Sequence, residues 1–308
     1  MNIIDIIERY DKYIADQNEI NRQKWYAGNE NWLQASGAGG CFLKHLFAQA
    51  GIEKVDLSLP INRRLMRLGT IVHGDIQASL DPTEWKNATK SVGYDGNELL
   101  IEHEITLPMF NVRGHLDIAD INHKEKIITV LDIKTTASYK WSFIFGRSVD
   151  AKPSMMYQLQ IATYAMGLAQ QFPGYEIMMW LDYYKKDNSD FREKPVGTDN
   201  LMHAATYWGE VNEFIEANVE TVKQLDKTAE LKTTEDGNSI MARENFKSGI
   251  KQFCNPGNQL SIPCSSFECN PLYCDYTLIC PSLLHSSKKK WKNIKRNAWF
   301  VINQLAEK

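Results

Sequence analysis

The chain has 308 residues, of which 43% are hydrophobic, 11% aromatic and 24% charged, and its formal net charge is −3. This composition indicates an ordinary globular protein with room for one large domain or two smaller ones. The slightly negative charge excludes a global basic field that would attract nucleic acid. Because no stretch approaches the roughly 20 apolar residues of a membrane span, we expect a cytoplasmic protein with no membrane partner.

The first part of the chain carries helical patterns. The segment MNIIDIIERYDKY has acidic residues within its apolar run and no basic leader, so it predicts an amphipathic helix and not a signal peptide. A glycine-rich turn from Ser36 to Gly40 precedes a helix that begins near Cys41. A longer helix is predicted from Asn62 to Leu80, where apolar residues recur at helical spacing: Leu65, Leu68, Val72 and Ile76.

After Gly96 the hydrophobic pattern changes to a period of two. The segments ELLIEHEITLP, FNVRGHLDIADI and KIITVLDIKTT predict three strands, with a turn around Asn122 and His123 joining the last two. SMMYQLQIATYAMGLAQQ predicts a helix after Pro153, and YEIMMWLDYY predicts a further strand. The remainder is expected to be mostly helical, apart from a stretch rich in proline and cysteine between Asn255 and Pro281.

This order of elements predicts an α/β (α+β) fold, in which a mixed central sheet is flanked by helices. We expect a single domain over residues 1–308, with its core at about 60–190. The helical and cysteine-rich part, 195–308, is expected to pack with residues 1–55.

Asp132, Ile133 and Lys134 lie on the third predicted strand. Alternate side chains of a strand share a face, so the carboxylate and the ammonium point the same way while Ile133 points into the core. Such a pair can present charge over a cleft at the end of a buried strand. An exposed ion pair without a function is the usual alternative for Asp-x-Lys, and these residues alone leave it open.

Asp117 lies on the second predicted strand, within GHLD. A hairpin with the third strand would bring it beside Asp132, and two facing carboxylates repel unless a cation lies between them. Mg²⁺ or Mn²⁺ takes such oxygen ligands, polarises a phosphoryl oxygen and lowers the pKa of a bound water. Lys134 could then orient the water or stabilise developing charge. Two unrelated strand acids at the solvent edge are the structural alternative.

Two helical segments add polar residues around these strands. His73 lies four residues after Gly69 on one face of the predicted helix, where the glycine permits close approach and the imidazole can bind a metal. A packed or surface histidine is the simpler alternative. Gln160 and Tyr164 lie one turn apart on the later helix. They could hold a DNA backbone or brace the site, or they could be merely structural.

Cysteine and basic residues are concentrated near the C-terminus. Five of the six cysteines follow residue 250, and clustered thiols in a chain without a secretory signal suggest a metal. A basic segment is interleaved with Trp291 and Trp299 and could follow a phosphate backbone; it comprises Lys288, Lys289, Lys290, Lys292, Lys295 and Arg296. A solvated amphipathic helix is an equally good interpretation of it.

The ordered set GTIVH, GHLD, LDIKT and QIATY resembles the RecB-like branch of the PD-(D/E)XK nuclease superfamily over roughly Gly69 to Ala165. The resemblance implies a restriction-endonuclease-like fold, with Asp117, Asp132 and Lys134 as catalytic residues. It also implies Mg²⁺ or Mn²⁺ ligands from His73, Asp117, Asp132 and the Ile133 carbonyl. Gln160 and Tyr164 match the Q-x-x-x-Y motif of that branch.

A second resemblance, to the iron–sulfur branch that includes AddB-like and CRISPR-adaptation nucleases, rests on the cysteines. The segment around Cys41 is similar to the early cysteine segment of that branch, and CDYTLICP to its final cysteine pair. The resemblance implies a 4Fe–4S cluster that ties the two helical termini together, held by Cys41, Cys269, Cys274 and Cys280, with Cys264 as an alternate to Cys269. Position 271, where the family usually has the third ligand, is a proline. The absence of tight C-x-x-C pairs argues against a zinc site, and several buried thiols without a metal remain the alternative.

These observations predict a metal-dependent DNA nuclease, specifically an exonuclease that prefers single strands or DNA ends in recombination, repair or phage-type DNA metabolism. A CRISPR-adaptation nuclease is a close variant. The alternative from another class is a catalytically silent DNA-binding module on the same scaffold. Since the sequence has no GxxxxGK[ST] motif, a helicase or recombination partner would have to supply any ATP-driven unwinding.

Overall fold

A computed structural model describes residues 5–26, 32–52, 60–80, 97–146, 152–228 and Tyr276. The helices are α1 (Ile6–Tyr26), α2 (Phe42–Gln49), α3 (Pro60–Leu80), α4 (Ser138–Phe145), α5 (Met155–Gln171) and α6 (Asp199–Thr228). The strands are β1 (Leu33–Gln34), β2 (Glu98–Leu107), β3 (Val112–Asn122), β4 (Ile127–Thr136), β5 (Glu176–Lys185) and β6 (Phe191–Val196). The late cysteines and the basic C-terminal segment lie outside the described residues.

The chain divides into two compact units. The first consists of Met1–Glu30, Gly40–Arg64 and Val211–Lys308, and the second of Asn31–Gly39 and Leu65–Glu210. The second unit contains the whole sheet and every predicted residue of the nuclease site. The domain boundaries predicted from the sequence stay a prediction.

The first unit is held by helical packing around aromatic rings. The rings of Phe42 and Phe214 lie 5.8 Å apart, and those of Phe47 and Tyr276 lie 5.3 Å apart in an edge-on arrangement. Offset and edge-on contacts of this kind add to the free energy gained by burying the rings. Among the described residues of this unit, Arg64 also forms an ion pair with Asp11, with Nε 2.7 Å from Oδ1.

The second unit is built on a mixed six-stranded sheet, in the order β1-β3-β4-β5-β6, with β2 paired to β3. β3 is antiparallel to β2 and to β4, and β1 runs parallel to it over two residues. β4 and β5 pair in parallel, whereas β6 is antiparallel to β5. The predicted mixed central sheet with helices is therefore confirmed.

Hydrophobic alternation explains most of the sheet. On β4, Ile128, Val130 and Ile133 are fully buried, and so is Leu181 on the neighbouring β5. α5 packs against β2, β3, β4 and β5. Its Thr163 hydroxyl accepts a hydrogen bond from the indole N–H of Trp208 on α6, at 2.9 Å. The predicted helix and strand that follow Pro153 are both present, as α5 and β5.

The expectation that the chain after β5 is mostly helical is wrong for Phe191–Val196. These residues form β6, an edge strand of the sheet that contains Pro195. A proline cannot donate a ladder hydrogen bond and is tolerated on an edge strand, but it weakens the strand pattern in the sequence. Among the described helices, none combines the length and apolar character that a membrane span requires.

Candidate active site

The hairpin of β3 and β4 brings Asp117 and Asp132 to adjacent positions. Regular pairing of these strands ends at Ile118 and Leu131, immediately before Asp117 and Asp132 would face each other. At this point the Asp117 carboxylate replaces the backbone ladder, because its Oδ2 accepts a hydrogen bond from the Ile133 N–H at 2.7 Å. The two carboxylates therefore lie where the strands begin to separate.

Lys134 is paired directly with Asp132. Its Nζ lies 2.6 Å from Asp132 Oδ2, and the Asp132 side chain is completely buried. The second oxygen of that carboxylate, Oδ1, has no hydrogen-bond partner among the described residues. A buried carboxylate oxygen without a partner is costly, so this atom points to a ligand that the protein itself does not supply.

Burial has opposite consequences for the acids and the lysine. It raises the pKa of Asp117 and of Asp132 to about 6, against the opposing effect of Lys134. For Lys134 burial opposes the charge, but the two neighbouring carboxylates outweigh it and raise its pKa. The lysine is thus cationic at neutral pH, and protons compete for the carboxylates only in mildly acidic solution.

His73 reaches this site from α3. Its Nδ1 lies 3.6 Å from Asp117 Oδ2, and its side chain is about three-quarters covered. Burial and the nearby Lys134 charge lower the pKa of His73, so the ring is neutral at pH 7. A neutral imidazole is the form that binds metals.

Gln160 and Tyr164 continue the site along α5. The Gln160 side-chain oxygen accepts a hydrogen bond from Lys134 Nζ at 3.2 Å, and its amide N–H donates to the Tyr164 hydroxyl at 2.9 Å. Lys134 Nζ also lies 5.0 Å from the centre of the Tyr157 ring. These contacts, together with Asp132 Oδ2, fix the position of the ammonium.

Two glycines of the predicted motifs permit close packing here. A Cβ at Gly69 on α3 would lie 3.1 Å from Thr135 Oγ1, and a Cβ at Gly114 on β3 would lie 3.0 Å from Tyr164 Cε1. At Gly114 it would also clash with Ala35 Cβ, at 2.6 Å. α3 and α5 can therefore come close to the sheet that carries the carboxylates.

The sequence did not single out Gln77, Glu102 or Tyr157. Gln77, one turn after His73, donates to Glu102 Oε1 at 2.6 Å and to the Asp117 carbonyl at 3.3 Å. Glu102 lies opposite Asp117 on β2 but has φ of +49° and no register partner. Only tertiary packing determines these contacts, so no local sequence signal could have located them.

The donor set meets part of what a divalent cation needs. A neutral imidazole, two carboxylates and an unpartnered buried oxygen suit a hard cation. In the described part of the chain, however, no three His, Cys, Asp or Glu side chains are already gathered in the geometry of a metal site. One oxygen of each carboxylate is engaged instead, by the Ile133 N–H or by Lys134. The residue types fit the predicted cation, and their roles stay predictions.

Only one predicted cluster ligand can be located. Cys41 lies at the N-terminus of α2, where its carbonyl accepts hydrogen bonds from the Lys44 and His45 N–H groups. Cys264, Cys269, Cys274 and Cys280 lie outside the described residues. The 4Fe–4S cluster therefore stays a prediction.

No protein-family model and no curated protein matches the sequence. Among solved structures, SSO0001 is similar with a TM-score of 0.38 and 15% identity, over 82% of this chain and 87% of that chain. LHK-Exo, an alkaline exonuclease from Laribacter hongkongensis, gives 0.39 and 14%, over 67% and 98%. An exonuclease candidate from Eubacterium rectale gives 0.40 and 14%, over 66% and 86%. Similarity at this level carries no functional argument, so the function is inferred from the residues of this chain.

Proposed function

We propose that the protein is a divalent-metal-dependent nuclease that hydrolyses phosphodiester bonds in DNA, acting as an exonuclease with a preference for single strands. The observation that carries this proposal is the pairing of Lys134 with the fully buried Asp132, beside a second, partly buried carboxylate, Asp117. A protein gains no stability from gathering these charges in a low-dielectric site unless other groups compensate for the cost. Such perturbed groups are typical of functional sites.

Each residue of the site has a chemical task in this proposal. His73, Asp117, Asp132 and the Ile133 carbonyl would hold Mg²⁺ or Mn²⁺, which supplies Lewis acidity toward the phosphate and lowers the pKa of a bound water. Lys134 would donate hydrogen bonds to the phosphate oxygens, where negative charge builds up during hydrolysis.

Gln160 and Tyr164 support the lysine in this task. Because Gln160 contacts both Lys134 and Tyr164, it holds the ammonium in place before substrate binds. An ammonium that is already oriented stabilises a transition state without further reorganisation. A 4Fe–4S cluster held by Cys41 and late cysteines would have a structural role in the same proposal.

One geometric observation favours a second candidate, a catalytically silent DNA-binding module. Lys134 already occupies Asp132 Oδ2, and the described residues present no preassembled metal group. If that ion pair persists in solution, Lys134 neutralises Asp132 and competes with a cation for that carboxylate. Cleavage assays separate the two candidates.

The test compares wild type with Lys134→Ala on labelled linear single- and double-stranded DNA, with and without Mg²⁺ or Mn²⁺. We expect metal-dependent cleavage by the wild type and a loss of at least about hundredfold in the variant, the usual cost of removing one preorganised donor to a transition state. The product ladder gives the polarity of cutting.

Lys124→Ala removes an exposed lysine in the β3–β4 turn and serves as the matched control. It should cut like wild type, and melting temperatures of all three proteins exclude unfolding as the cause of lost activity. If the wild type binds DNA but cuts none under any metal condition, the nuclease proposal fails and the binding module replaces it.

A further inference from the structure

The edge of the sheet beyond the candidate active site carries three cations, and an acid, Asp187, acts on one of them, Lys185. Lys185 on β5 and Arg192 and Lys194 on β6 take part in none of the ion pairs among the described residues. They lie instead over aromatic rings of α4. The whole chain has a net charge of −3, so a group of cations without a direct ion pair among the described residues marks a place where an anion is expected to bind.

Aromatic rings hold these cations in place. Arg192 lies 5.4 Å from the ring centre of Trp141 and 5.7 Å from that of Phe145. Lys185 lies 5.8 Å from Trp141, and Lys194 lies 5.3 Å from Phe145. A ring face attracts a cation without neutralising its charge, so each group can still bind a phosphate.

The register of the sheet links these cations to the candidate active site. Lys134 pairs with Tyr183, and Tyr183 pairs in turn with Arg192. Because adjacent strands are about 4.8 Å apart, the backbone of Arg192 lies about 10 Å from that of Lys134. The ring of Tyr183 packs against Phe145 of α4, with centres 5.6 Å apart. One sheet therefore connects the proposed cleavage site to the cations at its edge.

α4 also presents two rings to solvent. Tyr139 is 75% exposed and Phe143 is 57% exposed, and their rings form an edge-on pair 5.0 Å apart. Exposed aromatic pairs are unfavourable in water and commonly mark a binding surface. They can stack on unpaired bases, whereas the bases of a duplex are already stacked on one another.

Three further charged residues lie near the start of α4: Lys140, Lys186 and Asp187. Burial, and to a smaller extent the charge of Lys140, lower the pKa of Lys186. The neighbouring Asp187 carboxylate is engaged by the Ser138 N–H at the N-terminus of α4. Because Asp187 also interacts with Lys185 and Lys186, Arg192 and Lys194 carry the main positive charge at this edge of the sheet.

We propose that single-stranded DNA crosses α4 next to the site of cleavage. On the sheet side of the helix it is bound by Lys185, Arg192 and Lys194, and on the outer side by Tyr139 and Phe143, which point away from Trp141 and Phe145. These five residues are here called the α4–β6 surface. The cations of the sheet edge contact phosphates, and the two exposed rings of α4 stack on bases. This proposal rests on the proposed nuclease function for its choice of DNA as the occupant. It assigns binding to residues that are separate from the carboxylates and from Lys134.

The test measures binding without cleavage. Fluorescence anisotropy of a labelled oligo-dT strand is recorded in excess chelator for wild type and two double variants, Arg192→Gln/Lys194→Gln and Tyr139→Ala/Phe143→Ala. Two control variants remove equivalent groups elsewhere: Lys44→Ala/Lys124→Ala for exposed lysines, and Tyr10→Ala/Tyr13→Ala for exposed rings of α1. Glutamine keeps part of the aliphatic cover over Phe145 and so protects the fold.

The two double variants should change DNA binding in different ways. Losing two phosphate contacts lowers the slope of log affinity against log salt by about 1.4 for a single strand. Losing the ring pair weakens binding by about five- to 150-fold for each base that loses its stacking partner, at an unchanged salt slope. The ring variant should affect a blunt duplex much less than a single strand.

Several results would overturn the proposal. One is binding by both variants that is indistinguishable from binding by their controls. Another is an equal loss of affinity for duplex and single strand in the ring variant. A third is a loss of affinity that appears only when a labelled single-stranded RNA replaces the oligo-dT strand. Because binding is measured with the metal chelated, the result does not depend on whether the protein cleaves DNA. Conversely, if both double variants cut and bind DNA like the wild type, the proposed α4–β6 surface is refuted and the nuclease proposal is not.

Discussion

Two aspartates on neighbouring strands of the sheet are both buried, but only one has a cation beside it. Asp132 on β4 is paired with Lys134 at 2.6 Å. Asp182 on β5 faces Glu193 across the β5–β6 ladder, and its Oδ1 has no hydrogen-bond partner among the described residues. Burial is the main cause that raises both pKa values, to about 6 for Asp132 and about 7 for Asp182.

The comparison shows that burial alone does not make a catalytic carboxylate. At Asp132, Lys134 partly offsets the desolvation, so the carboxylate is charged at neutral pH and can bind a cation. At Asp182, the nearby Glu193 acts in the same direction as burial, and the carboxyl group keeps its proton up to about pH 7. The charge of the neighbouring side chain therefore decides between a candidate metal ligand and a buried neutral acid.

The largest expected effect is the pH dependence of metal binding by Asp117 and Asp132. Asp117 and Asp132 have pKa values raised to about 6, so protons displace the cation as the pH falls below that value. With two protons competing, the affinity for Mn²⁺ should fall by about hundredfold between pH 7 and pH 5. Isothermal titration calorimetry at several pH values measures this directly.

Two variants assign this pH dependence to the carboxylates. Asp117→Asn should remove one of the two competing protons and make the fall shallower. His73→Ala should weaken binding but keep the steep fall, since burial lowers the pKa of His73 and so reduces its share in the competition with protons. An affinity for Mn²⁺ that is constant from pH 7 to pH 5 would contradict the assignment of Asp117 and Asp132 as ligands.

Much of this site could be predicted because its signals are local. Alternation located β2, β3 and β4, an apolar run located β5, and the predicted hairpin placed Asp117 beside Asp132 and Lys134. β6 was missed because Phe191–Val196 is polar and contains Pro195, and its place in the sheet comes from pairing with β5. The eight residues of α4 are too few to establish a helical period.

The contacts that support the site could not be predicted from the sequence, because they join residues that are far apart in the chain. Gln77 contacts Glu102 across 25 residues of chain and the Asp117 carbonyl across 40. Such pairs depend on how α3 packs on the sheet, which no local pattern encodes. The charge balance around Asp182 likewise depends on the β5–β6 register, which brings Glu193 opposite it.

The next prediction tests the other aspartate, through stability. Asp182 has its pKa raised to about 7, so the folded state holds a proton that the unfolded state releases above about pH 4. Its destabilising contribution is absent below about pH 4, grows as the pH rises to 7, and is constant above. Asp182→Asn should therefore increase the free energy of unfolding by about 2 kcal/mol at pH 8, since a buried amide is itself costly and offsets part of the linkage.

Chemical denaturation at pH 5.5 and pH 8 measures that increase, which should be smaller at the lower pH. Asp75→Asn, which removes an exposed carboxylate of α3, is the control and should not reproduce the pattern. A loss of stability in Asp182→Asn at pH 8 would mean that the carboxylate is charged and satisfied by a partner, which would remove the contrast with Asp132.

The smallest expected effect concerns Glu102 on β2, which accepts a hydrogen bond from Gln77 of α3, the residue that also contacts the Asp117 carbonyl. Glu102→Ala removes the acceptor of the 2.6 Å hydrogen bond, so α3 and its His73 should be held less firmly. Residues that orient metal ligands in this way typically contribute tenfold or more to metal affinity, and because Glu102 is exposed we expect a loss of about tenfold in Mn²⁺ affinity. Glu102→Gln keeps a side-chain oxygen for Gln77 and should retain most of the affinity.

Glu102→Gly separates positioning from stability. Glu102 adopts φ of +49°, a conformation that costs a non-glycine residue about 1 kcal/mol and that glycine adopts without strain. The glycine variant should therefore melt no lower than wild type, although it binds Mn²⁺ as weakly as the alanine variant. Because a merely structural role would make affinity follow the melting temperature, wild-type affinity in Glu102→Gly would show that the Gln77–Glu102 contact does not position His73.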